Sequence, residues 1–326
     1  MAERIVKEAQ VNLDFAGQRF DQIATELFSD YSRSRIQSWI KEGVLVVDGK
    51  QTKPKEKLFG GEKITLNVEL EEQADHDAQE IPLDIVYEDN DILIVNKPAG
   101  LVVHPAAGHS DGTLLNAILH HAPQTAMVPR AGIVHRLDKE TTGLMVVAKT
   151  IEAQTDLVAQ LQDRSMGREY EAITIGAMTG GGVVDEPIGR HPHNRQKMAV
   201  EPVHGKDAIT HYRLVKRYNN HTHIRLKLET GRTHQIRVHM AYLQYPLVGD
   251  PQYAGRLKMP KGCSPELQDA LRGFRRQALH AKKLELAHPI TGDFMEWEVD
   301  LPQDMQDLLA VLESDLHNGG QNDYML

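Results

Sequence analysis

The sequence predicts an α+β protein in two parts: a small α+β unit, then a larger domain on a mixed, largely antiparallel β-sheet with flanking helices. Three observations carry this reading. After Ile81, short strand-like runs outnumber helical ones and often follow each other across a turn, which favours antiparallel pairing over βαβ units. Before it, two helical periodicities and a few strands fit within about 65 residues. Between them, residues 69–80 hold six acids and no base, a composition that suits a linker better than a core. A chain of 326 residues also favours two domains over one. The expected divisions are a first domain at 1–70, an acidic linker at 71–80, the larger domain at 81–315 and a polar tail at 316–326.

In the first unit, Phe20, Ile23, Ala24, Leu27 and Phe28 recur at helical spacing. Ser29 or Ser32 can start the next helix, "SRSRIQSWIKEG", which stops at Gly43. "VLVVDGKQTK" reads as strand, Asp-Gly turn and strand, and "GEKITLNVEL" as a further strand. In the second, "LDIVYEDNDILIVNKPAG" gives two strands about an Asp-Asn turn, then a Pro-Gly break. "GTLLNAILHHA" is helical, "AGIVHRL" and "GLMVVAKT" are strands, and "TIEAQTDLVAQLQDR" is a helix with a threonine near its start. Strands follow at "REYEAITIGAM", "THYRLVKRY", "THIRLKLET" and "KKLELAHP". Helices are expected at "HQIRVHMAYLQ" and "DMQDLLAVLESDL".

Composition narrows the function. Hydrophobic residues make up 40%, enough for a packed core. A single cysteine, Cys263, excludes a disulfide framework or a cysteine-rich zinc site and suits a reducing compartment. No apolar leader or membrane-length run occurs, so a cytoplasmic monomer is expected. The net charge of −9 argues against a polyanionic partner, but its distribution argues for one. Residues 190–240 carry eleven Lys/Arg against three Asp/Glu, residues 256–283 eight against two, and residues 31–63 eight against four. Any one such segment reads as solvated surface. Three together point to a basic face.

Cofactor signatures are missing. There is no Walker loop and no G-x-G-x-x-G, and "TGGGV" reads as a flexible turn. Seventeen histidines include no H-E-x-x-H, and His234 and His239 sit beside arginines that oppose a dication. Neither a cofactor nor a metal is expected. No G-x-S-x-G occurs, and Cys263 lies in the polar stretch "KGCSPE".

The chemistry concentrates in three places. In "AGIVHRLDKETTGLMVVAKT", His135, Arg136, Asp138, Lys139 and Glu140 are pinned between apolar runs. Arg136 and Asp138 could be a surface ion pair of little worth, but rigid strands that present a charged loop are how sites are built. In "LETGRTHQIRVHM" the chain turns at Gly231, and Arg232 leads into a helix; an arginine there suits a carboxylate or a phosphate. Tyr170 in "GREYEA" sits within a strand and alone proves nothing. Two readings from different classes are open. One is a non-catalytic RNA-binding module, which leaves these placements unexplained. The other is a glycoside hydrolase using Asp138 and Glu140, for which no sugar cleft is evident.

"GIVHRLDKETTGLMVVAK" resembles the active-site motif of the RluA-type pseudouridine synthases, and "YEDNDILIVNKPAGLVVHP" resembles the segment before it. "REYEA" and "GRTHQIRVHM" resemble the two later motifs, in the right order over residues 81 to about 300. Residues 14–66, with "SRSRIQSWIKEGVLVVDGK", resemble the S4 RNA-binding domain. One departure is Thr141-Thr142-Gly143, where many relatives have Thr-Ser-Gly; threonine keeps the hydroxyl. The resemblance implies a central cleft in which uridine within RNA becomes pseudouridine without a cofactor, the RNA being that of the large ribosomal subunit, free or in an assembling particle. It assigns the essential carboxylate to Asp138, with Tyr170 and Arg232 as catalytic partners and Arg232 close to Asp138. Arg136 would fill the space left by the flipped base. His135, Thr142, His234, Gln235 and Arg237 would meet the substrate, and Arg33, Arg35, Lys41 and Lys50 of the S4-like unit would hold RNA.

Overall fold

A computed structural model describes residues 3–29, 31, 33–70, 76–105, 111–194 and 196–319. Its first unit holds β1 (Glu3–Gln10), α1 (Phe20–Leu27), α2 (Arg33–Glu42), β2 (Leu45–Val47) and β3 (Lys63–Leu70). The strands pair antiparallel in the order β1-β3-β2. Phe20, Ile23, Ile36, Trp39 and Ile40 of the helices meet Leu45, Ile64 and Leu66 of the sheet. Val128 and Ile151, from the larger domain, belong to the same core, so the two parts touch.

β1 escaped the sequence reading because its alternation is blurred. Val6 faces out at 58% exposed, and Lys7 takes the sheltered face. Beyond the Asp48-Gly49 turn only Lys50 bridges back to Val47, so the expected second arm is a single bridge and β2 takes β3 as its partner. Ser32, residues 71–75 of the acidic stretch and residues 320–326 of the polar tail lie outside the described residues.

The larger domain runs β4 (Ile85–Glu88), β5 (Ile92–Lys97), α3 (Leu114–His121), β6 (Thr142–Ala148), α4 (Ile151–Gln162), β7 (Gly167–Ile175), β8 (Gly182–Asp185), β9 (Ile188–Arg190), β10 (Met198–Val200), β11 (Ile209–Arg217), β12 (His221–Leu228), α5 (Gln235–Tyr242), α6 (Pro265–Gly273), β13 (Leu279–Ala287), β14 (Phe294–Glu298) and α7 (Gln303–Gly319). One nine-stranded sheet has the order β4-β5-β6-β13-β7-β12-β11-β8, with β14 added to β13. Only β6 and β13 run parallel; every other pairing in it is antiparallel. The mixed, largely antiparallel α+β fold is therefore as expected. β9 and β10 form a separate hairpin.

The sheet is covered on both faces. Leu114, Leu115 and Ile118 of α3 and Ile236 and Met240 of α5 pack with Val95, Val147 and Leu226. Ala153 and Leu157 of α4 pack with Ile94, Val146 and Leu284. Strands buried on both sides read as unbroken apolar runs, which is why "ILIV" and "LMVVA" stand out in the sequence.

A further sequence expectation fails. "AGIVHRL" is not a strand: residues 129–132 form a single turn with Arg130 and Ala131 at positive φ, and Ile133 makes one bridge to Val147. A Cβ on Gly132 would fall 1.8 Å from the Ala148 carbonyl oxygen, so the chain grazes β6 instead of pairing along it. The helix α6 was missed, although Ser264 caps it through Leu267 N–H and Pro265 opens it. No helix among the described residues is long and apolar enough to cross a membrane.

Candidate active site

A cleft of about 570 Å³ opens between the loop before β6, the strand β7 and the loop that leads from β12 into α5. Six arginines line it, Arg130, Arg136, Arg164, Arg168, Arg232 and Arg237, against two acids, Asp138 and Glu229. An acidic chain thus presents a cationic cavity, although only Arg232 and Arg237 come from the basic segments of the sequence.

Asp138 lies at the end of the irregular stretch before β6. Behind it, Lys97 is buried at the end of β5 and donates to the carbonyls of Pro98, Leu101 and Lys139, at 2.8, 2.9 and 2.9 Å. Burial draws the Lys97 pKa down to about 7, with Glu140 and Asp138 opposing. Three acceptors need three ammonium hydrogens, so the protonated form is the one this geometry holds. The lysine thereby ties the loop after β5 to the loop that carries Asp138.

Arg237, on the buried face of α5, donates Nη1–H to Asp138 Oδ2 at 2.8 Å. Its Nε and Nη2 grip Asp250 at 2.7 and 3.0 Å, Nη2 also reaches Gln252 Oε1, and its guanidinium lies 5.0 Å from the Tyr253 ring centre. Burial opposes the Arg237 charge, but Asp250 and Asp138 outweigh it and hold the group above its ordinary pKa. Oδ1 of Asp138 is left facing His234 Nε2 at 3.8 Å, beyond hydrogen-bond reach. One carboxylate oxygen is anchored and the other is available to a substrate.

Tyr170 lines the same cleft from β7, and burial raises its pKa. His135 accepts Val146 N–H on Nε2, which fixes it as neutral; burial, then Arg168, pushes its pKa down to about 3.

The chain matches the model of the RNA pseudouridylate synthase family over residues 91–242. It is 59% identical to the ribosomal large subunit pseudouridine synthase D of Escherichia coli K12, over 97% of both chains, and 57% identical to that of Vibrio parahaemolyticus, over 99% of both. The solved structure of human RNA pseudouridylate synthase domain containing 4 matches with a TM-score of 0.55 and 26% identity, over 70% of this chain and 92% of the other. The chain belongs to the RNA pseudouridylate synthase family.

In this pseudouridine synthase the arginine on Asp138 is Arg237. Arg232, expected there, instead donates Nε–H to the Asp207 carbonyl at 2.9 Å and lines the cleft half-buried. Arg237 lies within α5, among the consecutive buried residues Gln235 to Met240, whereas Arg232 precedes the helix. Thr142 is a second correction. Its hydroxyl bonds His280 Nδ1 at 2.8 Å inside the sheet, and the neighbour Thr141 lines the cleft in its place. Gln235 lines the cleft with every polar position engaged: Oε1 accepts from Thr230 and Arg232, and Nε2 donates to Ile209 and Thr210. Arg136 is exposed and lines the cleft with His234.

In the first unit Arg33, Lys41 and Lys50 are exposed, and Arg35 lies 5.5 Å over the Trp39 ring. Sequence reasoning missed Arg168, Asp250 and Tyr253. The last two sit in "VGDPQYAG", where an acid and a tyrosine among turn formers carry no signal of their own. Asp89, Asp91 and His288 cluster at metal-like spacing, but Asp89 already accepts from Tyr87, Asp91, Ile92 and His288, and none of the three lines the cleft.

Proposed function

We propose that this enzyme isomerises specific uridines of large-subunit ribosomal RNA, with Asp138 as the essential carboxylate. The observation that carries this is an aspartate with one oxygen anchored on Arg237 and the other open in an arginine-lined cleft. The relatives named above supply the RNA. In the reaction the C1′–N1 bond breaks, the uracil turns, C5 bonds to C1′, and the proton lost from C5 is balanced by one gained at N1. Asp138 either attacks C1′ or takes the C2′ proton. The target must leave its stack to reach the cleft. Arg136 stacks and hydrogen-bonds in the space it leaves, and Tyr170 packs on the flipped base. The S4-like unit, with Arg33, Arg35, Lys41 and Lys50, adds a second grip on the RNA backbone. No cofactor or metal is needed, and the enzyme works as a cytoplasmic monomer on free RNA or an assembling subunit.

The test is Asp138→Asn, assayed by tritium release from C5-labelled uridine in a ribosomal RNA transcript, with binding titrated at fixed salt. Isomerisation should vanish while fold and RNA affinity hold, and Glu140→Gln should stay active. Normal release by the Asp138 variant with loss in the Glu140 variant would mean the wrong carboxylate was chosen.

A further inference from the structure

We infer that Tyr253 is a positioning residue for this reaction, which fixes His234 in the tautomer that presents its Nε2–H beside the open oxygen of Asp138. The inference rests on the reading of Asp138 given above. His234 stands at the start of α5 with φ +58°, a left-handed turn that aims its ring into the cleft. Its Nδ1 lies 2.8 Å from the Tyr253 hydroxyl, and the two rings meet edge-on at 5.7 Å. The same hydroxyl accepts the backbone N–H of Met198, from the β9–β10 hairpin, at 3.0 Å.

A backbone N–H can only donate, and a phenol has one hydrogen. With Met198 donating to the oxygen, the arrangement that gives the hydroxyl one donor and one acceptor partner sends the phenol hydrogen to Nδ1. Nδ1 is then an acceptor, and the neutral imidazole carries its proton on Nε2. Asp138, Arg237, Asp250, Arg136 and Tyr253 are the titratable and charged groups around this ring. Burial and the two arginines favour the neutral form, and the two carboxylates oppose them.

The 3.8 Å between Nε2 and Asp138 Oδ1 is too long for a hydrogen bond and leaves room for a substrate atom against both. A donor and a carboxylate facing one point suit an acceptor oxygen of the flipped nucleotide next to the atom that Asp138 acts on. The hairpin is fastened to the same loop a second time, since Lys197 Nζ donates to the Gln252 carbonyl at 2.5 Å and Gln252 also holds Arg237. Tyr253 therefore acts through His234, from outside the contact with substrate.

Tyr253→Phe removes only the phenol oxygen. Turnover on the RNA transcript should fall about tenfold, the worth of one misplaced hydrogen bond, with KM unchanged and the melting temperature lowered only slightly by the lost Met198 hydrogen bond. Nitrogen-15 spectra of histidine-labelled enzyme should show His234 protonated on Nε2 in the wild type and a mixture of tautomers in the variant. In a His234→Gln background, whose amide offers a donor that needs no tautomer, Tyr253→Phe should have no further effect. A wild-type His234 protonated on Nδ1 overturns the inference, as does unchanged turnover in Tyr253→Phe, or equal loss in both backgrounds. If the wild type leaves the transcript unmodified, the choice of RNA is wrong, and the tautomer spectra still decide the role of Tyr253.

Discussion

One guanidinium holds two carboxylates. Arg237 spans Asp138 and Asp250, and Asp250 is fully enclosed. Removing the arginine strands both acids, so Arg237→Met should cost about 3–5 kcal/mol of stability and abolish turnover together. Arg232→Met should leave the melting temperature nearly unchanged, because Arg232 holds only a carbonyl at the cleft's edge. Thermal melts of the two variants side by side check the assignment, and a reversed order would return the pairing to Arg232. The sequence shows both arginines in one motif, "GRTHQIRVHM", five positions apart. Choosing between them requires knowing which of the two is packed inside the helix and which lies in the loop before it, and helix boundaries are the part of a sequence reading most prone to slip.

At the scale of elements, the site depends on a close approach between two strands. Gly143, the second residue of β6, has φ +113°, and a Cβ there would fall 2.2 Å from the Ala281 carbonyl oxygen of β13. Gly143→Ala should lose at least about 3 kcal/mol, from strained backbone and the clash together. A denaturant titration reads the loss, and a value under about 1 kcal/mol, no more than an ordinary surface change costs, would show that the strands can part. β5 and β6 were legible because their apolar runs are unbroken, and β7, β11, β12 and β13 because apolar and polar residues mix at strand spacing over eight or nine positions. So were α3 and α4, whose threonines Thr113 and Thr150 mark their starts. Of the pieces that failed to show, β8, β9 and β10 have three or four residues each, and the loop before β6 takes its shape from Lys97 and Gly132 rather than from local preference.

The whole molecule should be sensitive to acid. Burial holds His135 down to about 3, and His221 and His280 down to about 4. Unfolded histidine titrates at about 6.5, so the unfolded chain takes up protons that the folded one refuses. The stability these groups contribute is complete above about pH 6.5 and is lost as pH falls toward 4. Three such groups give a slope of up to about 4 kcal/mol per pH unit between those limits. Urea midpoints measured from pH 7 to 4.5 should fall steeply, and a flat profile would contradict the neutral state of these rings. Deleting residues 1–75 should weaken RNA binding and leave slow isomerisation. It also uncovers Val128 and Ile151, so the fragment should bind a hydrophobic dye more strongly than the full chain. A folded fragment without activity at saturating RNA would show that the first unit does more than grip.

The parallel pairing of β6 with β13 joins residues 138 positions apart, at Thr142 and His280. β13 also separates β4-β5-β6 from β7-β12-β11-β8, so it is the strand that closes two half-sheets into one. Asp138 precedes β6 in the first half, and Arg237 follows β12 in the second. A nascent chain that has not yet reached β13 therefore has both members of the ion pair and no frame to bring them together. Contacts this far apart form late and slowly. The site can assemble only once β13 has been made, and a chain stopped at residue 278 should leave the ribosome with its two half-sites apart.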